Sequence, residues 1–240
     1  MRTPKAKYLT AVLLAVAGFA LQQAKADFVS FINSPNTALS GFTGPYAEVT
    51  IHLVNTTTAD VTFTSLTNTF NGNPVIYLMG DGGSADLNVN GTFSVSDLTK
   101  TVPTGFFSTH NGPMMTTLPD LSAVIAAGQN VDDQGTFNLT INNFDGYTHA
   151  ADSISFTLNA TLGTTWANAG SVLFFNSDGI DAAAHIFPAD NPPDVNVNTF
   201  TNNTGFAGEN TAGVPDGGAT AMLLGMALTA VGALRRFAIS

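Results

Sequence analysis

The chain has no cysteine and almost no positive charge outside its two ends. The first absence removes disulfides and thiolate metal centres, so a secreted domain of this sequence must rely on its core. The second removes the means of neutralising phosphates. Residues 27–213 carry sixteen acids against one base, Lys100, for a net charge near −15. A surface of that sign is a poor partner for nucleic acid and anionic lipid headgroups, and cations suit it better. Tryptophan is scarce too, Trp166 standing alone beside four tyrosines. Sugar-binding sites gather aromatic platforms, so Trp166 is read first as a core residue and only second as a stacking surface.

Catalytic motifs are equally sparse. The sequence contains no GxSxG, no phosphate-binding GxxxxGK[ST] and no HExxH, and His52, His110, His149 and His185 are scattered. A hydrogen-bonded structural histidine is the expected role for His52, at a solvent-facing strand position, and for His185. A carboxylate pair for glycoside hydrolysis stays open, because the acids are plentiful and their spatial separation is not written in the sequence. On balance no enzyme is expected.

Six of the seven bases lie at the ends. Arg2, Lys5 and Lys7 precede an apolar core from Tyr8 to Leu21, and Ala24-Lys25-Ala26 follows it. A basic head, a short apolar core and small residues at −3 and −1 are the parts of a secretory signal peptide, so residues 1–26 are expected to be cut after Ala26, with Ala24 at −3. The core, about 14 residues long, falls short of the roughly 20 that a membrane span requires.

Between the ends, strand periodicity dominates. In AEVTIHLVN, Val49, Ile51 and Leu53 alternate with Glu48, Thr50 and His52, and in TFNLTIN, Phe137, Leu139 and Ile141 alternate with Asn138 and Thr140. Period-two alternation sends one set inward and the other to solvent. Shorter runs repeat the pattern at Val61 and Phe63, Val75 to Met79, Leu87 and Val89, Phe93 and Val95, Ile154 to Leu158, and Val172 to Phe175. Clusters such as NTTTAD, NTFNGNP, GDGGSAD and NSDGID separate them with turn-forming Asn, Asp and Gly. Short strands at this spacing predict an all-β domain, an antiparallel β-sandwich of jelly-roll or immunoglobulin-like topology, over residues 27–202. Leu118 to Ala127 is the one internal helix candidate, and reads equally as a connection between sheets. Val195, Val197 and Phe200 suggest a last strand, and the Asn- and Gly-rich residues 203–213 read as a flexible linker.

Two loops suit a hard cation. Asp81 and Asp86 flank Gly82-Gly83-Ser84-Ala85, and Asp178 and Asp181 flank Gly179-Ile180. Carboxylates on glycine-containing turns, with carbonyls at hand, are the donors calcium takes. Neither loop has the EF-hand pattern, and Asp-Gly is also ordinary turn chemistry. Calcium is thus the only cofactor the sequence suggests.

The tail, residues 214–240, reads VPDGGATAMLLGMALTAVGALRRFAIS. Residues 219–234 hold no charge and would form a helix about 24 Å long at ~1.5 Å per residue, against a hydrocarbon core of about 30 Å. Arg235 and Arg236 follow and would keep the C-terminus cytoplasmic while the acidic domain sits outside. In the motif, Pro215 fixes φ, Asp216 favours a turn, and Gly217-Gly218 leave the chain accessible. The order of Val214-Pro215-Asp216-Gly217-Gly218, apolar span and arginine pair resembles the PEP-CTERM sorting signals of bacteria, closest to the variant whose motif reads VPDSG. Gly217 stands where that pattern has Ser. The resemblance implies recognition by an exosortase-type membrane enzyme and export to the cell surface or matrix, often alongside exopolysaccharide.

The expected protein therefore has an N-terminal signal helix, a β domain and a C-terminal transmembrane helix that tethers the precursor. Its expected role is non-enzymatic, at the cell surface or in extracellular matrix. The alternatives are a secreted carbohydrate-binding module or carbohydrate-active enzyme on the same route, and a permanently tail-anchored protein.

Overall fold

The computed structural model describes residues 26–103, 121–143, 149–191, 203–209 and 214–215. In chain order the strands are β1 (Phe28–Pro35), β2 (Ala47–Asn55), β3 (Thr58–Ser65), β4 (Thr67–Phe70), β5 (Asn73–Met79), β6 (Ala85–Leu87), β7 (Phe93–Thr101), β8 (Ser122–Val131), β9 (Gly135–Asn142), β10 (Ser153–Ala160), β11 (Ala182–Asp190), β12 (Gly205–Glu209) and β13 (Val214–Pro215). The described residues contain no α-helix, and no helix among them is long and apolar enough to cross a membrane. The expected signal helix and transmembrane helix lie outside the described residues.

The alternation read in the sequence sets the interior. Val49, Ile51 and Leu53 of β2, Val61 and Phe63 of β3, and Ile154, Phe156 and Leu158 of β10 all face one buried cluster. Their intervening Thr, Ser, Asp and His residues lie outside, which is the pleat of an antiparallel sheet with one dry face. Two aromatic residues belong to the same cluster: the Tyr46 and Tyr77 rings meet edge to face at 4.8 Å. Their hydroxyls donate to the carbonyls of Phe42 and Thr43, each at 2.8 Å, so neither buried oxygen lacks a partner.

The thirteen strands of the described residues are joined by antiparallel hydrogen bonding in one sheet, as the expected all-β antiparallel class requires. The main path runs β7-β10-β3-β2-β1-β12-β11-β6-β9-β8, with β5 also on β11 and β4 on β5. β4 follows β3 after one residue, Leu66, so β5 and β4 also link β11 to the end of β3. The Leu66 N–H donates to the Tyr46 carbonyl at 3.0 Å, and its own carbonyl accepts from Tyr77 N–H at 3.0 Å. Leu66 is thus where the chain leaves the β2 side of the sheet and joins the β5 side. β11 is buried on both faces, with Ala182, Ala184 and Ile186 toward the main core and Ala183, Phe187 and Ala189 toward two smaller clusters. Its run of three alanines suits a strand crowded from both sides.

Three expectations change. Ser122–Val131, inside and beyond the helix candidate, is the edge strand β8 on β9, its register shifting between Ile125 and Gln129. An amphipathic helix needs an apolar stripe to bury, and most of this segment is exposed; backbone pairing to β9 holds it instead. Val172 to Phe175 is not a strand but follows a 3-10 turn at Ala169–Ser171, with one bridge between Leu173 and Val89. Asn168 caps that turn reciprocally with Ser171, giving the backbone a local alternative to a ladder. Finally, Gly205–Glu209, expected in the linker, forms β12 between β1 and β11. Its glycines are what admit it: a Cβ on Gly205 would meet Ala38 Cβ at 2.9 Å and Leu39 Cγ at 3.0 Å. The suggested strand at Val195, Val197 and Phe200 lies outside the described residues.

Candidate functional site

The two ends of the domain meet on one strand. β1 takes β2 along one edge; on the other it takes β12 at Ile32–Pro35 and β13 at Phe28 and Val29. The β13 register sets Val29 opposite Val214 and Phe28 opposite Pro215. The first two residues of the motif are therefore strand, and residues 27–215 form one compact unit that ends inside the motif. Ala26, the expected cleavage position, is half-buried two residues before β1. Phe28 packs in the main core, and Asp27 is tied to His52 on β2 by a 2.6 Å contact between Oδ1 and Nδ1. Asp216, Gly217, Gly218, residues 219–234, Arg235, Arg236 and Ala24 lie outside the described residues.

The two candidate cation loops separate into exposed and buried acids. Asp81 is exposed and its Oδ1 accepts from Gly82 N–H at 2.8 Å, an ordinary turn bond. Asp178 is also exposed, its own N–H capped by Asn176 Oδ1 at 2.9 Å. Asp86 is fully buried on β6, and burial pushes its carboxyl up to about 7 despite a 2.7 Å hydrogen bond from Thr140. Its Oδ2 has no hydrogen-bond partner among the described residues. Burial likewise raises Asp181, against a hydrogen bond with Glu209 that pulls the other way. Among the described residues no group of three or more His, Cys, Asp or Glu is arranged to hold a metal ion.

The other candidates have structural partners. Trp166 is 1% exposed, and its indole N–H donates to the Asn90 carbonyl at 2.9 Å. His185 contacts the Gly82 carbonyl at 3.3 Å and Thr204 Oγ1 at 2.6 Å, and its ring stacks on Phe206 at 4.3 Å. Burial lowers its pKa, with Asp81, the Gly82 carbonyl and Asp132 opposing. Lys100 donates to Asn143 Oδ1 at 2.8 Å and to the His149 carbonyl at 3.0 Å, tying β7 to the end of β9. His110 lies outside the described residues.

Sequence reasoning missed the Asp181–Glu209 pair and the docking of β13. The Glu209 signal was hidden by its setting, GFAGEN, which has the composition of a linker. For β13 a signal did exist: Val214-Pro215 is an extended dipeptide, and Pro is tolerated at a strand end where no further N–H is required.

The all-β, acidic domain ends on β13, the first two residues of the Val214–Gly218 motif. Residues 213–236 match the model of the VPDSG-CTERM motif, a variant of the PEP-CTERM-type sorting signals that exosortase-like enzymes generally recognise. Neither a curated protein nor a solved structure matches the chain.

Proposed function

We propose that the protein is a non-enzymatic component of the cell surface or extracellular matrix. It is exported through a signal peptide cut after Ala26, tethered by residues 219–234, and processed at Val214–Gly218 by an exosortase-type membrane enzyme. The match of the tail to the VPDSG-CTERM motif carries this reading. The acidic domain adds support for an extracytoplasmic role beside exopolysaccharide, where carboxylates and calcium are compatible neighbours. Mass spectrometry of the termini of the native protein tests it. The expected product begins at Asp27 and lacks Arg235-Arg236; a surface form that keeps both arginines favours the permanent anchor.

A carbohydrate-binding role is the second reading. Trp166 is buried, so it would rest on Phe174 and Phe175, which are 45% and 49% exposed and adjacent. A polysaccharide pulldown that is positive, and lost in the Phe174→Ala/Phe175→Ala double variant, would establish it.

A further inference from the structure

The sorting motif begins inside the folded domain. Val214 and Pro215 are hydrogen-bonded into the sheet as β13, on the part of the β1 edge that β12 leaves open. A 3-10 turn, Ala169–Ser171, lies alongside β13. The dock itself is built into the domain. Phe28 is 7% exposed in the main core, β1 is paired along its other edge with β2, and Asp27 is held to His52. The docked segment is held far less firmly: it is two residues long, and Pro215 has no N–H to extend the ladder.

An enzyme that reads an extended peptide does so largely through the peptide's own N–H and C=O groups, as an added strand does. The backbone groups of Val214 cannot serve β1 and an enzyme together. We propose that the folded domain withholds its own sorting motif, and that a processing enzyme engages it only after β13 peels away from Phe28 and Val29. This rests on the processing role proposed above and adds to it a control by the domain. The enzyme then acts on the undocked fraction, and the apparent rate of processing scales with that fraction. Strengthening the dock slows processing and weakening it accelerates processing, with the motif unchanged.

The absence of cysteine makes a direct test available. In the full-length chain carrying Val29→Cys and Val214→Cys, the two thiols can bond only to each other within a molecule. Oxidation is expected to cross-link most molecules, whereas a control with Ile125→Cys on β8 and Val214→Cys should not cross-link. Cross-linking at the control level overturns the docking. In membranes holding the processing enzyme, the oxidised Val29→Cys/Val214→Cys chain should be processed at least tenfold more slowly than the same chain after reduction. Equal rates overturn the proposal and leave the sorting role standing. A second variant leaves the motif intact: Val29→Lys, on the dock side, should accelerate processing severalfold, and an unchanged or slower rate also counts against the proposal. If the unmodified chain keeps Arg235-Arg236 in those membranes, the processing role fails and this control with it.

Discussion

Thr140 Oγ1 donates a 2.7 Å hydrogen bond to Oδ1 of Asp86 across the β6–β9 pair, with both side chains buried. One hydroxyl is too little to hold a charge there, and burial pushes the carboxyl from 3.8 to about 7. The folded state therefore binds this proton more tightly than the unfolded chain does. The stability contributed by the neutral acid is complete below pH 3.8 and is lost as pH rises through about 7. Asp181 carries the same sign. Thermal melts should show stability falling across this window, and Asp86→Asn should reduce the fall, gaining about 1–3 kcal/mol at pH 8 with little change at pH 4. An identical slope in the variant would refute the assignment.

His185 acts in the opposite sense. Its ring is packed on Phe206 and its pKa is lowered by burial, so protonation favours the unfolded chain. Its contribution is intact above pH 6.5 and is lost as pH falls through that value and below it. An NMR titration of the ring protons should give a midpoint under 6.5, and one above it would contradict the burial argument.

Trp166 should report on folding as well as contribute to it. Removing a tryptophan that is 1% exposed costs about 3–5 kcal/mol in Trp166→Ala, through lost burial and the cavity left behind. Because it is the single tryptophan, native fluorescence should be blue-shifted and should move to the red on denaturation. Native emission already at the red position would place the indole in water.

Gly205 tests whether β12 belongs to the fold. A methyl there meets Asn36 Oδ1, Ala38 Cβ and Leu39 Cγ, all inside ordinary contact distance, so Gly205→Ala should destabilise the domain by about 1–3 kcal/mol. The same change in a true linker would alter the denaturation midpoint by almost nothing.

The strands that were legible were those with one wet face. β2, β3 and β10 alternate because their outer residues meet solvent, and periodicity records that difference; β9 alternates in sequence too, yet its Thr140 is buried against Asp86. β8 was illegible because exposure on both faces leaves no alternation, and β12 because its glycines fit tight gaps while looking like linker. Asn138 was read as an outward residue of the alternating strand, and it is one; its pairing was not legible, for its amide donates to the Val89 carbonyl and its oxygen accepts from Val89 N–H, both at 2.8 Å. One side chain there replaces a strand partner just past the end of β6. The tail motif was readable because its parts are contiguous; its docking was not, because the partner lies at the other end of the chain.

The placement of β12 has a consequence for the order of events during export. A strand inserted between β1 and β11 leaves the sheet broken until it arrives, so the first strand made waits for almost the last. Contacts of such long sequence separation form slowly and late. A chain still emerging through a membrane therefore lacks its closing strand until residue 209 has crossed, only four residues before the matched signal begins at 213. Completion of the domain and arrival of its address are nearly the same moment, and a chain that stops before Gly205 has neither the closing strand nor the address.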